Sequence, residues 1–216
     1  MIWRGIATAV VVCLGAANWL SASLAQDSRV GGTHSTGLEV NTSPRFNTWR
    51  TATLGIHKRV DAYRNALEAA RIKIGDAANE ILGRPAFRYV TSKTEIELAL
   101  VSASELGVYT ESSLSDVYRL AKKFGLTLCP AEVGPQLRLD YRDQPVGEVL
   151  DIAMEPLATY YGDLTILSLI NFGNGLALIG GDGRSDVSVA RTKRFVFALP
   201  AGRGLEAGRS LRVSQP

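Results

Sequence analysis

The 216-residue chain has only two cysteines, two histidines and two methionines. With so few soft or imidazole ligands, and with His34 and His57 lacking partners at ligand spacing, the sequence offers no metal site. It implies no cofactor either. Gly173, Gly175, Gly180, Gly181 and Gly183 are not followed by Lys-Ser/Thr, so they form no phosphate-cradling loop, and no elbow motif supports a serine nucleophile. Gly181-Asp182-Gly183 with Asp186 lacks the repeated carboxylates of a calcium loop and reads as a turn. A formal net charge of +3 is too small to mark a nucleic-acid binder. The hydrophobic fraction of 46% is nonetheless ordinary, and the length allows one domain with a real core.

Only one long apolar run exists, and it is at the start. Arg4 precedes the uncharged stretch Ile6–Ala17, and Ser23-Leu24-Ala25 supplies small residues where a signal peptidase reads. The pattern predicts a secretory signal peptide over residues 1–25, cleaved after Ala25. The run is short for a spanning helix, which needs about 20 residues. A lipoprotein signal is disfavoured because Val12, not a small residue, precedes Cys13. Cleavage removes Cys13 and leaves Cys129 alone, so an exported, periplasmic or extracellular product would have no internal disulfide and would depend on its core.

Residues 26–48, poor in apolar side chains, read as a flexible linker, and residues 49–200 as a single α+β domain. Val60, Tyr63, Leu67 and Ala70 fall at helical intervals. Ile74, Ala77, Ala78 and Ile81 continue out of phase, which predicts two helices joined around Ile72–Gly75 and stopped by Gly83 and Pro85. "TEIELALVSA" alternates and predicts a strand with one buried face. "SSLSDVYRLAKKFG" predicts a helix, with Ser113 as N-cap, Asp116 in the first turn, and Lys122 and Lys123 near the end. "VLDIAM" fits a strand better than a helix. "LTILSLINFGNGLALIG" predicts a hairpin, and "RFVFALP" a further strand. The helices thus fall mainly in the first half and an antiparallel sheet mainly in the second. Residues 201–216 carry three glycines and no core pattern, which predicts a disordered basic tail.

One segment stands apart. "LCPAEVGPQLRLDYRDQP", Leu128–Pro145, packs three prolines, two arginines, three carboxylates and Cys129 into a turn-rich stretch. Followed by "GEVLDIAMEPL", it resembles the signature of a family of uncharacterised bacterial proteins. Further likenesses are the steps Leu54-Gly55-Ile56 and Glu105-Leu106-Gly107 and the late strand Arg194-Phe195-Val196-Phe197. The similarity spans Trp49–Leu199. It departs at Val149, where the family has Trp, and many members lack a signal peptide. The resemblance implies one domain and brings no activity with it.

The chemistry of the segment admits two readings. Cys129 is a thiol without a nearby base, and as a buried cysteine it would behave as a small hydrophobe. Glu132 and Asp143, with Glu148, Asp151 and Glu155 close by in sequence, could supply a hydrolase's pair of carboxylates acting on a glycan or wall polymer. Equally, Glu132 and Asp143 could be ion-paired with Arg138 and Arg142, holding a structural corner whose outer face binds a protein or glycan. The weak catalytic candidates are therefore Glu132, Asp143 and Cys129, and the binding candidates Glu132, Arg138, Arg142 and Asp143. From Arg184 onward seven basic residues face two acidic ones, a balance suited to anionic lipid or wall polymer. The leading expectation is an exported, non-catalytic binding module.

Overall fold

The computed structural model describes residues 46–201; the expected signal peptide, nearly all of the expected linker and the expected tail beyond Ala201 lie outside them. The elements run β1 (Arg50–Leu54), α1 (Val60–Ala69), β2 (Lys73–Ile74), α2 (Asp76–Leu82) and β3 (Thr94–Ser102). A 3-10 turn (Ala103–Leu106) leads to β4 (Ser112–Ser113), α3 (Leu114–Lys123) and α4 (Val133–Asp140). The second half adds β5 (Val149–Ile152), β6 (Leu157–Ala158), β7 (Leu164–Asn171), β8 (Leu176–Asp182), β9 (Ser188–Val189) and β10 (Arg194–Ala198). The class is α+β, in one domain.

The main sheet has the order β1-β3-β10-β5-β7-β8-β2, with β6 appended to β7. Its pairings are mostly antiparallel, but β10 with β5 and β2 with β8 are parallel. β7 and β8 form the expected hairpin, with Leu169 opposite Leu178. The two predicted helices at 60–82 are present. The joint between them is more than a turn, since Lys73 and Ile74 pair with Ala177 and Leu178 as the far edge of the sheet.

Two hydrophobic clusters lie on opposite faces of this sheet. On the first face Leu98, Val196, Leu150, Ile152, Leu167, Leu169 and Leu178 pack under α1, α2 and α4. On the second face Ala99, Val101, Phe195, Phe197 and Ala153 pack with Val117 and Ala121 of α3. The expectation of one buried face for β3 therefore holds only for its first half. Glu95 and Glu97 are exposed, but Ala99 and Val101 are 1% and 0% exposed. Alternation fails there because α3 and the 3-10 turn cover the strand's second side. A strand covered on both sides reads as a continuous apolar run.

A larger correction concerns Leu128–Pro145. It is not a loop corner: its middle is α4. The segment looks unhelical because it contains Gly134 and Pro135. Both sit in the first turn, where N–H groups have no intrahelical acceptor, so a proline there forfeits nothing. The preceding turn fills part of that need, as Val133 N donates to Pro130 O and Gly134 N to Ala131 O. Gly134 faces β7. A Cβ at this position would lie 2.4 Å from Leu167 Cδ1, so the close approach of helix to sheet requires a glycine.

Candidate functional site

Cys129 is held in place before the helix begins. Its N–H donates to Ala153 O at 2.7 Å, and its thiol lies 3.4 Å from Val196 O. The side chain is buried and unpaired. Burial pushes the thiol well above its ordinary pKa, away from the thiolate a nucleophile needs.

Glu132 follows, with no exposed surface. Its carboxylate gathers three donors from distant parts of the chain: Gly55 N at 2.9 Å, Tyr63 Oη at 2.8 Å and Val90 N at 2.6 Å. This fastens the end of β1, the middle of α1 and the irregular stretch before β3 to the start of α4. Gly55 has φ of 75°, and a Cβ there would meet Ser92 O at 2.4 Å, so the N–H can be presented this way only by glycine. Tyr63 is fully buried, and its hydroxyl is pushed up first by burial and then by its hydrogen bond to Glu132. Tyr89 stacks on Tyr63 with ring centroids 6.0 Å apart and is pushed up to about 12, chiefly by burial. Gln136, one turn on, lies 3.2 Å from the Tyr63 hydroxyl and donates to Asp140.

Arg138 is also fully buried, yet it meets no carboxylate. Its two terminal nitrogens donate to Gln144 Oε1 and Tyr141 O, and its Nε is buried without an acceptor. Burial, followed by the nearby charge of Arg142, lowers its pKa to about 10. Gln144 binds the segment to the sheet, donating to Glu148 O at 3.1 Å and Leu169 O at 3.2 Å. The Tyr141 hydroxyl donates to Glu148 at 2.8 Å, and Glu148 also takes Arg194.

The other two predicted residues are on the surface. Asp143 pairs with Arg50 at 2.9 Å, and the Arg50 guanidinium lies over the Tyr141 ring at 4.4 Å. Arg142 donates to Ala70 O at 3.1 Å. Glu132, Arg138, Arg142 and Asp143 thus form neither an ion-pair cluster with one another nor a catalytic pair. The expected pairing fails because charge spacing along a chain does not reveal which neutral groups the fold brings nearer.

Several residues that complete this network are not among the site candidates that the sequence offers. They are Tyr63, Gln136, Gln144, Arg50 and Arg194. Leu54-Gly55-Ile56 was noted as a short step, but only the fold shows that its glycine serves a glutamate 77 positions later. Asp151 is a further buried acid. It is held by Ser168 Oγ at 2.7 Å and Lys193 Nζ at 2.8 Å, across β5, β7 and the start of β10. Among the described residues no group of three or more His, Cys, Asp or Glu side chains is arranged to hold a metal ion. No described helix is long and apolar enough to cross a membrane.

A groove of about 700 Å³ borders the end of the segment, lined by Pro145, Glu148, Lys193 and Arg194 among others. Two grooves, of about 510 and 570 Å³, share Thr127 and Leu128, and neither is lined by Glu132 or Asp143. Tyr160 and Tyr161 project from the turn between β6 and β7, 72% and 91% exposed. No protein family, curated protein or solved structure matches this chain.

Proposed function

We propose that this chain is an exported binding module that does no chemistry of its own and takes a protein or glycan of the cell envelope or secreted space as its partner. The observation that carries the reading is the consumption of its reactive groups. Glu132 has three structural donors, and Cys129 is a sealed thiol. Asp143 is neutralised by Arg50 on the surface. A glycoside hydrolase needs two carboxyl groups flanking one cleft about 5–10 Å apart, and Glu132, turned into the core, cannot be one of them. What stays free is surface: exposed aromatic side chains at Tyr109, Tyr160, Tyr161 and Phe172, of the amphipathic kind that recognition surfaces use.

The basic C-terminal stretch supports an electrostatic contact only in part. Arg184, Lys193 and Arg194 are engaged by Asp182, Asp151 and Glu148. Attraction to anionic lipid or wall polymer would therefore fall to Arg191, Arg203, Arg209 and Arg212. The test is made on protein recovered from the exported fraction of the native host. Mass spectrometry should find a mature start near Gln26. The protein should be retained by isolated envelope material without releasing soluble sugar or peptide from it. Progressive release of reducing ends would overturn the non-catalytic reading, and an intact Met1 on a cytoplasmic product would overturn export.

A further inference from the structure

The second face of the sheet is only half covered. α3 and the 3-10 turn lie over Ala99, Val101, Phe195 and Phe197, leaving the first half of β3 and its neighbour β1 open. The register places Thr51 opposite Glu97 and Thr53 opposite Glu95, so these four side chains share one face. Glu95 and Glu97 are both exposed, and neither carboxylate has an ion-pair or hydrogen-bond partner among the described residues. By contrast, Glu132, Asp143, Glu148 and Asp151 are ion-paired or hydrogen-bonded, whereas Glu155 is, like Glu95 and Glu97, exposed and without such a partner among the described residues.

Beside them runs a groove. The 510 Å³ part is lined by Glu95, Glu97, Thr127, Leu128, Pro130 and Leu199, among others. Past Thr127 and Leu128 it meets the 570 Å³ part, whose apolar lining includes Tyr118, Leu126, Leu128 and Phe197. Its walls are fixed: Thr127 exchanges backbone hydrogen bonds of 2.9 Å with Ala198, and the Tyr118 hydroxyl donates to Met154 O at 3.3 Å. The surface is thus an apolar trough with two unpaired carboxylates at one end. At the other end charge is mixed: Lys122 and Glu155 are exposed and without an ion pair among the described residues, and Arg119 is tied to Asp116.

We propose that this trough binds an extended peptide. Two basic side chains, two residues apart, would lie against Glu95 and Glu97, and an apolar side chain would cover Leu128. The spacing carries the match. Residues i and i+2 of a strand share a face about 6.6 Å apart, and an extended peptide repeats at the same interval. Two basic residues at that spacing therefore meet both carboxylates at once, with the hydroxyls of Thr51 and Thr53 beside them. A second copy of this chain would bring another pair of carboxylates toward these two, so charge disfavours self-association through this face. The inference rests on the binding-module reading and assigns it a site and a partner chemistry.

The experiment uses the full mature chain and a fluorescein-labelled peptide, Lys-Thr-Lys-Thr-Leu-Leu, in an anisotropy titration, with Glu-Thr-Glu-Thr-Leu-Leu as control. Binding is expected for the lysine peptide alone and should weaken as salt rises, because exposed charges are screened. Glu95→Gln/Glu97→Gln, a surface change expected to leave the circular dichroism spectrum intact, should weaken it about tenfold, as two exposed ion pairs can. Equal binding of both peptides, or an unchanged affinity in the double variant, overturns the site. A synthetic peptide of residues 202–216 is titrated in parallel. If it alone binds, and the double variant abolishes that binding, the occupant is the chain's own tail and the outside partner is refuted. Envelope retention separates the two claims. Retention without peptide binding overturns the trough and leaves the module reading standing. Peptide binding without retention supports the trough and overturns an envelope partner.

Discussion

α3 and α4 are helices of ten and eight residues on opposite faces of one sheet, and they are stabilised in different ways. α3 rests on the sheet by one side. It buries Leu114, Val117 and Ala121, and leaves Ser115, Arg119, Lys122 and Lys123 to water. α4 is enclosed: Val133 through Arg138 are all buried, including Gln136 and Arg138. A helix with water on one side must show its orientation as an apolar stripe. An enclosed helix need not, because its polar side chains find partners inside the protein. α3 carries its own start and stop signals, whereas α4 depends on groups supplied by β1, α1 and β7.

Glu132 tests that dependence most severely. Glu132→Ala would leave the Gly55 and Val90 N–H groups without their acceptor and the Tyr63 hydroxyl with only Gln136 Oε1 at 3.2 Å. The expected loss is about 3–5 kcal/mol, in the range for breaking a buried charged network. Denaturant unfolding measures it. Glu132→Gln should also destabilise, because an amide NH2 would face a backbone N–H from Gly55 or Val90. A loss below about 1 kcal/mol for the alanine variant would show that α4 stands without this fastening. Arg138 lacks a carboxylate partner, but a hydrophobe of similar length would leave Gln144 Oε1 and Tyr141 O without their donor, so Arg138→Met is expected to destabilise by about 2–3 kcal/mol, less than Glu132→Ala.

The second test sets propensity against packing. In an exposed helix interior Gly→Ala stabilises by about 1 kcal/mol. At Gly134 the added Cβ would stand 2.4 Å from Leu167 Cδ1 and 3.0 Å from its Cβ. Gly134→Ala should therefore destabilise by about 1–3 kcal/mol, as overpacking does. A thermal midpoint equal to or above the wild type would mean that Leu167 yields, and that the closeness of α4 to the sheet is not enforced by glycine.

The same contrast explains what could be read from sequence. The helix at 114–123 was legible because Ser113, Asp116, the apolar spacing and the terminal lysines all act within ten residues. The hairpin at 164–182 was legible because its two apolar runs flank a glycine-rich turn. Cys129, Val133 and Leu137 could be expected to turn inward from their apolar character. α4 itself was hidden, because Gly134 and Pro135 argue against a helix unless its first residue is already known. The partners of Glu132 were hidden as well: Gly55, Tyr63 and Val90 lie 77, 69 and 42 positions away. Local charge pointed to Arg138 and Arg142 instead. Long-range pairing is set by the order of strands, and nothing near Glu132 in the chain records that order.

The smallest effect is expected at the start of α3, where the stabilising groups are local and exposed. Ser113 Oγ accepts from Asp116 N at 3.1 Å and donates to the Asp116 carboxylate at 2.7 Å. Ser113→Ala removes one N-cap acceptor that water can replace, so the loss should be about 1 kcal/mol at neutral pH. Part of this difference should depend on pH. Arg119 first, and Ser113 second, hold the Asp116 carboxyl below the usual carboxylate range. A folded-state pKa lowered in this way adds stability that is fully present above the unfolded-state value, near 3.9 for Asp, and is lost as pH falls through the lowered one. Removing Ser113 takes away one of the two groups that lower it. The gap between wild type and Ser113→Ala should therefore narrow below about pH 4 and stay constant above it. Unfolding curves at a series of pH values would show this. A gap that does not change down to acid would mean that Arg119 alone sets the Asp116 titration and that the cap acts only through its bond to the backbone.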